Sequence, residues 1–129
     1  MSGLNFNNTD NKLTTITDDA YTQVTLSDTS ENHDYDLRGI TNNLSIRAGQ
    51  SSVFTGFRAK YDGQLLTVTN RIAPGKEIKI AHLNSNSSSQ VDLTSNKGID
   101  LIISYGCSVV LRYDNTVSKW WLISYFEVV

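Results

Sequence analysis

The side chains with the most chemical potential in this chain sit in one short acidic stretch, Glu31-Asn32-His33-Asp34-Tyr35-Asp36. Its carboxylates offer hard oxygen ligands of the kind calcium takes. It lacks both the spacing and the glycine of an EF-hand loop, so a solvated loop is the plainer reading. His82 closes an apolar run and reads as an ordinary exposed histidine. Cys107 is the single cysteine and cannot form an intrachain disulfide. It falls in phase with Val109, Leu111 and Tyr113 on the apolar face of a strand, where it reads as a small buried hydrophobe. A thiol nucleophile needs a partner base, and neither histidine sits in a motif that would supply one. The chain carries no phosphate loop, no Gly-x-Ser-x-Gly elbow and no His-Glu-x-x-His pattern. Any two of its 13 acidic residues can in principle form a glycosidase pair, but no context marks one. The expectation is a protein that is not an enzyme and uses no metal or other cofactor.

Aromatic residues offer a different chemistry. Phe57, Tyr105, Tyr113, Trp120 and Trp121 can stack on the CH faces of sugars, or can fill a core. Most of them lie on strands rather than loop tips. Trp120 and Trp121 are neighbours on one strand and point to opposite faces. At most one of them belongs to a two-layer core, and the other faces solvent or a second subunit.

These residues need strands to position them, and the chain is written as strands. Ser, Thr and Asn are abundant; they suit turns and exposed strand faces and are poor helix formers. Leu44-Ser45-Ile46-Arg47-Ala48 alternates, as do Leu65 to Thr69, Glu77 to His82 and Cys107 to Tyr113. Val53 to Ala59 is a further strand, in which Gly56 marks a bulge or a close backbone approach. Turns fall at Gly49-Gln50-Ser51-Ser52, Asp62-Gly63, Ala73-Pro74-Gly75 and Asp114 to Ser118, and no internal repeat stands out. The pattern predicts a single all-β domain, an antiparallel β-sandwich or jelly roll of about eight or nine short strands. Residues 1–36 form a polar N-terminal segment with early strands at Leu13–Thr17 and Tyr21–Leu26, and residues 37–129 form the β domain. Leu4 and Phe6, spaced to point the same way from an extended chain, are candidate anchoring residues on a mobile arm.

The last strand is apolar in both alternation phases from Trp120 to Val129. Trp120, Trp121, Tyr125, Phe126 and Val128 are therefore candidate subunit-interface residues, with a central buried strand as the alternative. Deleting Tyr125 to Val129 is expected to damage assembly more than the monomeric fold. Two polar loops offer exposed binding groups: Asn84, Asn86 and Ser88 in the first, Asp114 and Asn115 in the second.

Net charge is −2, which leaves no basic footprint for nucleic acid or an anionic membrane. The first residues have neither a basic region nor an apolar core and do not read as a signal peptide. The expectation is a protein made in a cytoplasm and soluble there. The sequons at Asn7, Asn43 and Asn86 carry little meaning in a chain so rich in Asn, Ser and Thr.

Taken in order, Asp62-Gly63-Gln64-Leu65-Leu66-Thr67-Val68-Thr69-Asn70, the Ser/Asn-rich loop, Ser108 to Asp114 and Lys119-Trp120-Trp121-Leu122-Ile123-Ser124 resemble a module of bacteriophage surface proteins. Tail fibres, tail-tip receptor-binding proteins and head-fibre or decoration proteins carry it. The likeness spans about residues 43–124 and leaves out the N-terminal third. It implies a homotrimer on the virion surface, partnered by a capsid or tail protein. Tail fibres are longer and carry a shaft. A chain of 129 residues that continues past Ser124 therefore favours a capsid-decoration or head-fibre role. The alternative is a receptor-binding module for a bacterial surface glycan.

Overall fold

The computed structural model describes residues 21–25, 31–39, 42–47 and 50–126. Leu4, Phe6, Leu13–Thr17 and Val128 lie outside these residues, as does the side chain of Phe126. Among the described residues the period-two patterns become twelve strands: β1 Tyr21–Val24, β2 Glu31–Asn32, β3 Tyr35–Asp36, β4 Asn43–Ile46, β5 Ser52–Phe54, β6 Phe57–Arg58, β7 Leu65–Asn70, β8 Ile78–Ile80, β9 Gln90–Asp92, β10 Leu101–Ile103, β11 Ser108–Asp114 and β12 Lys119–Phe126. One 3-10 turn, Thr94–Asn96, is the only helical element among the described residues. The protein is all-β, as its composition predicts.

The sheets are mixed rather than antiparallel. Parallel ladders join every third strand: β1 to β4 to β7, β2 to β5 to β8, and β3 to β6. Tyr21 lies beside Asn43, and Asn43 beside Thr67. Glu31 lies beside Val53, and Val53 beside Lys79. Tyr35 lies beside Phe57. Each partner follows the last at nearly the same interval along the chain. The chain thus winds through stacked coils, each laid on the one before it, in the manner of a short solenoid. The remaining strands close the stack. β10 runs antiparallel to β8, β11 antiparallel to β7, and β12 antiparallel to β11. β9 leaves the coil path and joins β12 in parallel. The early strands Tyr21–Asp36 are part of these sheets and stack directly on the following coil.

The inward rows cross the strands in register. Leu44, Val68 and Val109 form one row of the six-stranded sheet β1-β4-β7-β11-β12-β9. Phe54, Ile80 and Leu101 form one row of the four-stranded sheet. All six are buried, in a core that also takes Phe57, Ile78, Val91, Ile103, Leu111 and Trp120. Cys107 lies in the same core as a free thiol, as its strand phase predicts. Phe54 stacks on Phe57 at 5.2 Å, and Phe57 meets Trp120 edge-on at 6.0 Å.

The double apolar phase of β12 has a local cause. Val110 pairs with Ser124 but Leu111 with Leu122, so Ile123 is an extra residue in the strand. A bulge of this kind resets the alternation. Trp120 and Leu122 before it and Tyr125 after it all pack on the core, while Ile123 is 51% exposed. Trp120 is therefore a core residue and not an interface residue: it is fully buried, and its indole N–H donates to the Phe57 carbonyl at 2.9 Å. Tyr125 also belongs to the monomer, since its hydroxyl donates to the Ile102 carbonyl at 2.6 Å. Trp121 is the indole that faces outward, 37% exposed.

Candidate binding cleft

Each of the two polar loops singled out from sequence gives one residue to a shared cleft, Ser89 from the first and Asn115 from the second, while Asn84, Asn86, Ser88 and Asp114 are not among its lining residues. Its lining is Arg58, Ala59, Lys60, Tyr61, Asp62, Ser89, Tyr113 and Asn115, and its volume is about 350 Å³. Arg58 reaches it because β6 alternates: Phe57 points into the core and Arg58 out. Lys60, Tyr61 and Asp62 come from the connection to β7, which Gly63 turns with a φ of +81°. Fully buried Gln64 fixes that connection. Its side-chain carbonyl accepts from the Lys60 N–H at 2.8 Å, and its amide donates to Asn42 Oδ1 at 2.8 Å. Asn115 sits on the β11–β12 turn, where its N–H donates to Asp62 Oδ1 at 2.9 Å. Asp114 organises the same turn. It accepts from the Thr116 N–H at 2.9 Å and from the Trp121 indole N–H at 3.4 Å.

Ser89 belongs to the Asn84–Ser89 loop, which is tied down by several hydrogen bonds. The Asp34 carboxylate accepts from the Ser88 N–H at 2.9 Å, the Ser88 hydroxyl at 2.9 Å and the Ser89 N–H at 2.8 Å. Partial burial pushes the Asp34 carboxyl up. The Ser88 and Ser89 donors and the neighbouring His33 outweigh this and hold it below its usual value. Ser87 is buried, and its hydroxyl accepts from the Asp34 N–H at 2.8 Å and contacts the Thr55 hydroxyl at 2.7 Å. Of the loop's candidate binding groups, Asn84 caps the Asn86 N–H at 2.9 Å and Ser88 is spent on Asp34. Asn86 is exposed, with its amide 3.5 Å from Glu31 Oε1.

A line of polar groups continues from Ser87 through Thr55 to His33, whose Nδ1 lies 2.7 Å from Thr55 Oγ1. His33 Nε2 in turn lies 3.5 Å from Glu31. The order acid, imidazole, hydroxyl is that of an activated nucleophile. Here both hydroxyls are buried and already hydrogen-bonded, so the line serves to fasten the loop to β2 and β5. The carboxylates of the Glu31–Asp36 stretch diverge. Asp34 faces the loop, Glu31 faces His33, and Asp36 is gripped by Arg38. Arg38 holds the Asp36 carboxyl down to about 2. Among the described residues no three His, Cys, Asp or Glu side chains gather into a potential metal site. His82 also has a structural role, since its Nδ1 accepts from the Leu93 N–H at 2.9 Å and braces the chain after β9.

Of the aromatic residues with a stacking option, Tyr113 reaches the cleft, while Phe57 and Trp120 are core. Tyr105 and Trp121 are exposed and are not among the cleft's lining residues. Arg58 and Lys60 carry no sequence motif that flags them. The usable signal is the Asp62-Gly63 turn beside them. No helix among the described residues is long and apolar enough to cross a membrane. Compared with family models, with curated proteins and with solved structures, the chain matches none.

Proposed function

We propose that this chain is a surface protein of a bacteriophage particle, a homotrimeric capsid-decoration or head-fibre protein that acts by binding rather than by turnover. The observation that carries the reading is the stack of parallel coils closed at one end by antiparallel β10, β11 and β12. Such a stack is quasi-one-dimensional and stiff, which suits a short projection from a particle surface. Of the motifs that resemble the phage module, Ser108 to Asp114 and Lys119 to Ser124 lie on the closing strands β11 and β12, and Asp62 to Asn70 leads into β7, the strand on which β11 closes. On the outer face of the six-stranded sheet Trp121, Ile123 and Leu65 are exposed, with Arg112 between Trp121 and Leu65, an apolar surface broken by one cation that suits packing against another copy. The reading is tested by labelling intact particles of the encoding phage with an antibody to the chain, and by measuring the mass of the isolated protein. Capsid labelling and a trimeric mass are expected. A stable monomer at micromolar concentration, or unlabelled particles, would refute it.

A second reading, a receptor-binding module that recognises a bacterial surface glycan, is favoured by the cleft. Its walls are held by Gln64, Asp62 and Asp34 before any ligand arrives, so binding there costs little ordering of the protein.

A further inference from the structure

We infer that the cleft takes an acidic saccharide, one whose negative charge is a ring carboxylate or a phosphodiester; the inference rests on the glycan-binding reading of this site. The first support is the state of Arg58. Its partner across the parallel ladder is an acid, Asp36, which sits beside it in register. Both oxygens of Asp36 are already taken by Arg38, through Nε at 3.0 and 3.2 Å and Nη2 at 2.8 Å. Among the described residues the Arg58 guanidinium makes no hydrogen bond or salt bridge, and its charge acts on Asp36 only at longer range, as a minor contribution beside Arg38. A planar fork of donors left in this state at the wall of a cleft complements a carboxylate or phosphodiester in two-point contact.

The second support is the charge balance of the lining. Arg58 and Lys60 face one acid, Asp62, and that carboxylate accepts from Asn115 at 2.9 Å. A net charge of about one matches a monoanion better than the several charges of a nucleotide polyphosphate. No helix N-terminus is present among the lining residues to neutralise more.

The third support is the aromatic part of the lining, Tyr61 and Tyr113. The Tyr113 ring is only 8% exposed and leans on Trp120 at 5.2 Å, so it is a fixed surface. Tyr61 is 47% exposed, and its hydroxyl accepts from Asn42 at 3.0 Å. A sugar ring offers CH groups to such surfaces and hydroxyls to Ser89 and Asn115. The volume of about 350 Å³ is at the lower end of the range for small-molecule sites.

The test is calorimetric titration of the full chain with trigalacturonate, with a glycerol-phosphate oligomer, and with neutral galactotriose. At least one acidic probe is expected to bind, about tenfold or more tightly than the neutral sugar, and to weaken as salt is raised. Which acidic probe binds identifies the source of the charge. Arg58→Gln is expected to lose about tenfold in affinity, while Arg112→Gln, on the exposed face of β11, leaves it unchanged. Equal binding of galactotriose, or unaltered binding by Arg58→Gln, would overturn the acidic preference while sparing glycan recognition. No binding of any of the three would overturn both for this cleft.

Discussion

Replacing Gly56 by alanine is the sharpest perturbation this structure offers. Gly56 carries no unusual backbone angle that would demand glycine. Its constraint is room. A methyl group built there falls inside the contact distance of the Ser89 carbonyl oxygen, 2.6 Å from Ser87 Cβ and 2.7 Å from Ser87 Oγ. Neither neighbour is the free end of a flexible side chain. Ser87 is locked between Thr55 and Asp34, and the Ser89 carbonyl accepts the Phe57 N–H at 3.3 Å. Relief therefore means moving the loop, the strand or both. Overpacking of this kind costs about 1–3 kcal/mol. Moving the loop also strains the Phe57–Ser89 bond and the Thr55–Ser87 contact, and a buried polar group left without a partner costs about 1–3 kcal/mol. The expected loss is about 2–6 kcal/mol. With a urea slope of about 1–3 kcal/mol/M for a small protein, the midpoint should fall by about 1–3 M. Gly106→Ala is the comparison: that site is open but has a φ of +85°, so it bears only the left-handed penalty of about 1–2 kcal/mol. A Gly56→Ala midpoint within about 0.3 M of wild type would show that the loop yields freely, and the fixed cleft wall with it.

Asn70 is fully buried, donating to the Lys76 and Ile103 carbonyls at 2.9 and 2.8 Å and accepting from the Ile72 N–H at 2.9 Å. Asn70→Ala strands three backbone groups and should cost about 3 kcal/mol or more by denaturant titration. Trp120→Phe loses the bond to Phe57 and leaves a void, for a loss of about 2–4 kcal/mol, whereas Trp121→Ala should change monomer stability by less than about 1 kcal/mol. The Asp34 carboxyl is held below its usual value, so its contribution is complete above the unfolded value of about 4 and is lost as pH falls through the lower folded value. Hydrogen exchange of the Ser88 and Ser89 amides should therefore accelerate, relative to the core strands, once pH drops below about 4. Asp34→Asn should show faster exchange already at neutral pH and little further change on acidification.

Much of the fold is legible in the sequence because its cause is local. Leu65 to Asn70 and Ser108 to Asp114 alternate so regularly that only strands satisfy them, and Cys107 takes its buried place from phase alone. The pairing direction is not legible. Short connections rich in turn residues predict antiparallel hairpins. Yet turns at Asp34, Gly39, Gly63 and Gly75 bend the chain around a coil instead of reversing it. The result is a structural repeat that sets each strand beside the third one after it. The side chains it aligns include Asn43 with Thr67 and Val53 with Lys79, which share no identity for the eye to find. The bulge at Ile123 hides in the same way, since an added residue changes the phase and leaves no compositional trace.

The site is half legible for a related reason. Turn-forming residues announce loops, so Asn84 to Ser89 and Asp114 to Asn115 are visible as candidate surfaces. What a loop presents depends on which of its groups the fold has already used. Asp34, far away in sequence, takes the Ser88 and Ser89 donors, and Asp62 takes the Asn115 N–H. The loops are thereby turned from flexible contact surfaces into fixed walls. The groups they enclose come from β6 and the turn after it, where Arg58 and Lys60 look like any exposed cations. Their meaning arises only when Arg38 is seen to occupy Asp36. Arg38→Ala should therefore free the Asp36 carboxylate to pair with Arg58 across the ladder. That rearrangement should weaken binding of an acidic saccharide without touching any residue that lines the cleft. If Arg38→Ala leaves affinity unchanged, Asp36 does not compete for Arg58, and the availability of that guanidinium has another cause.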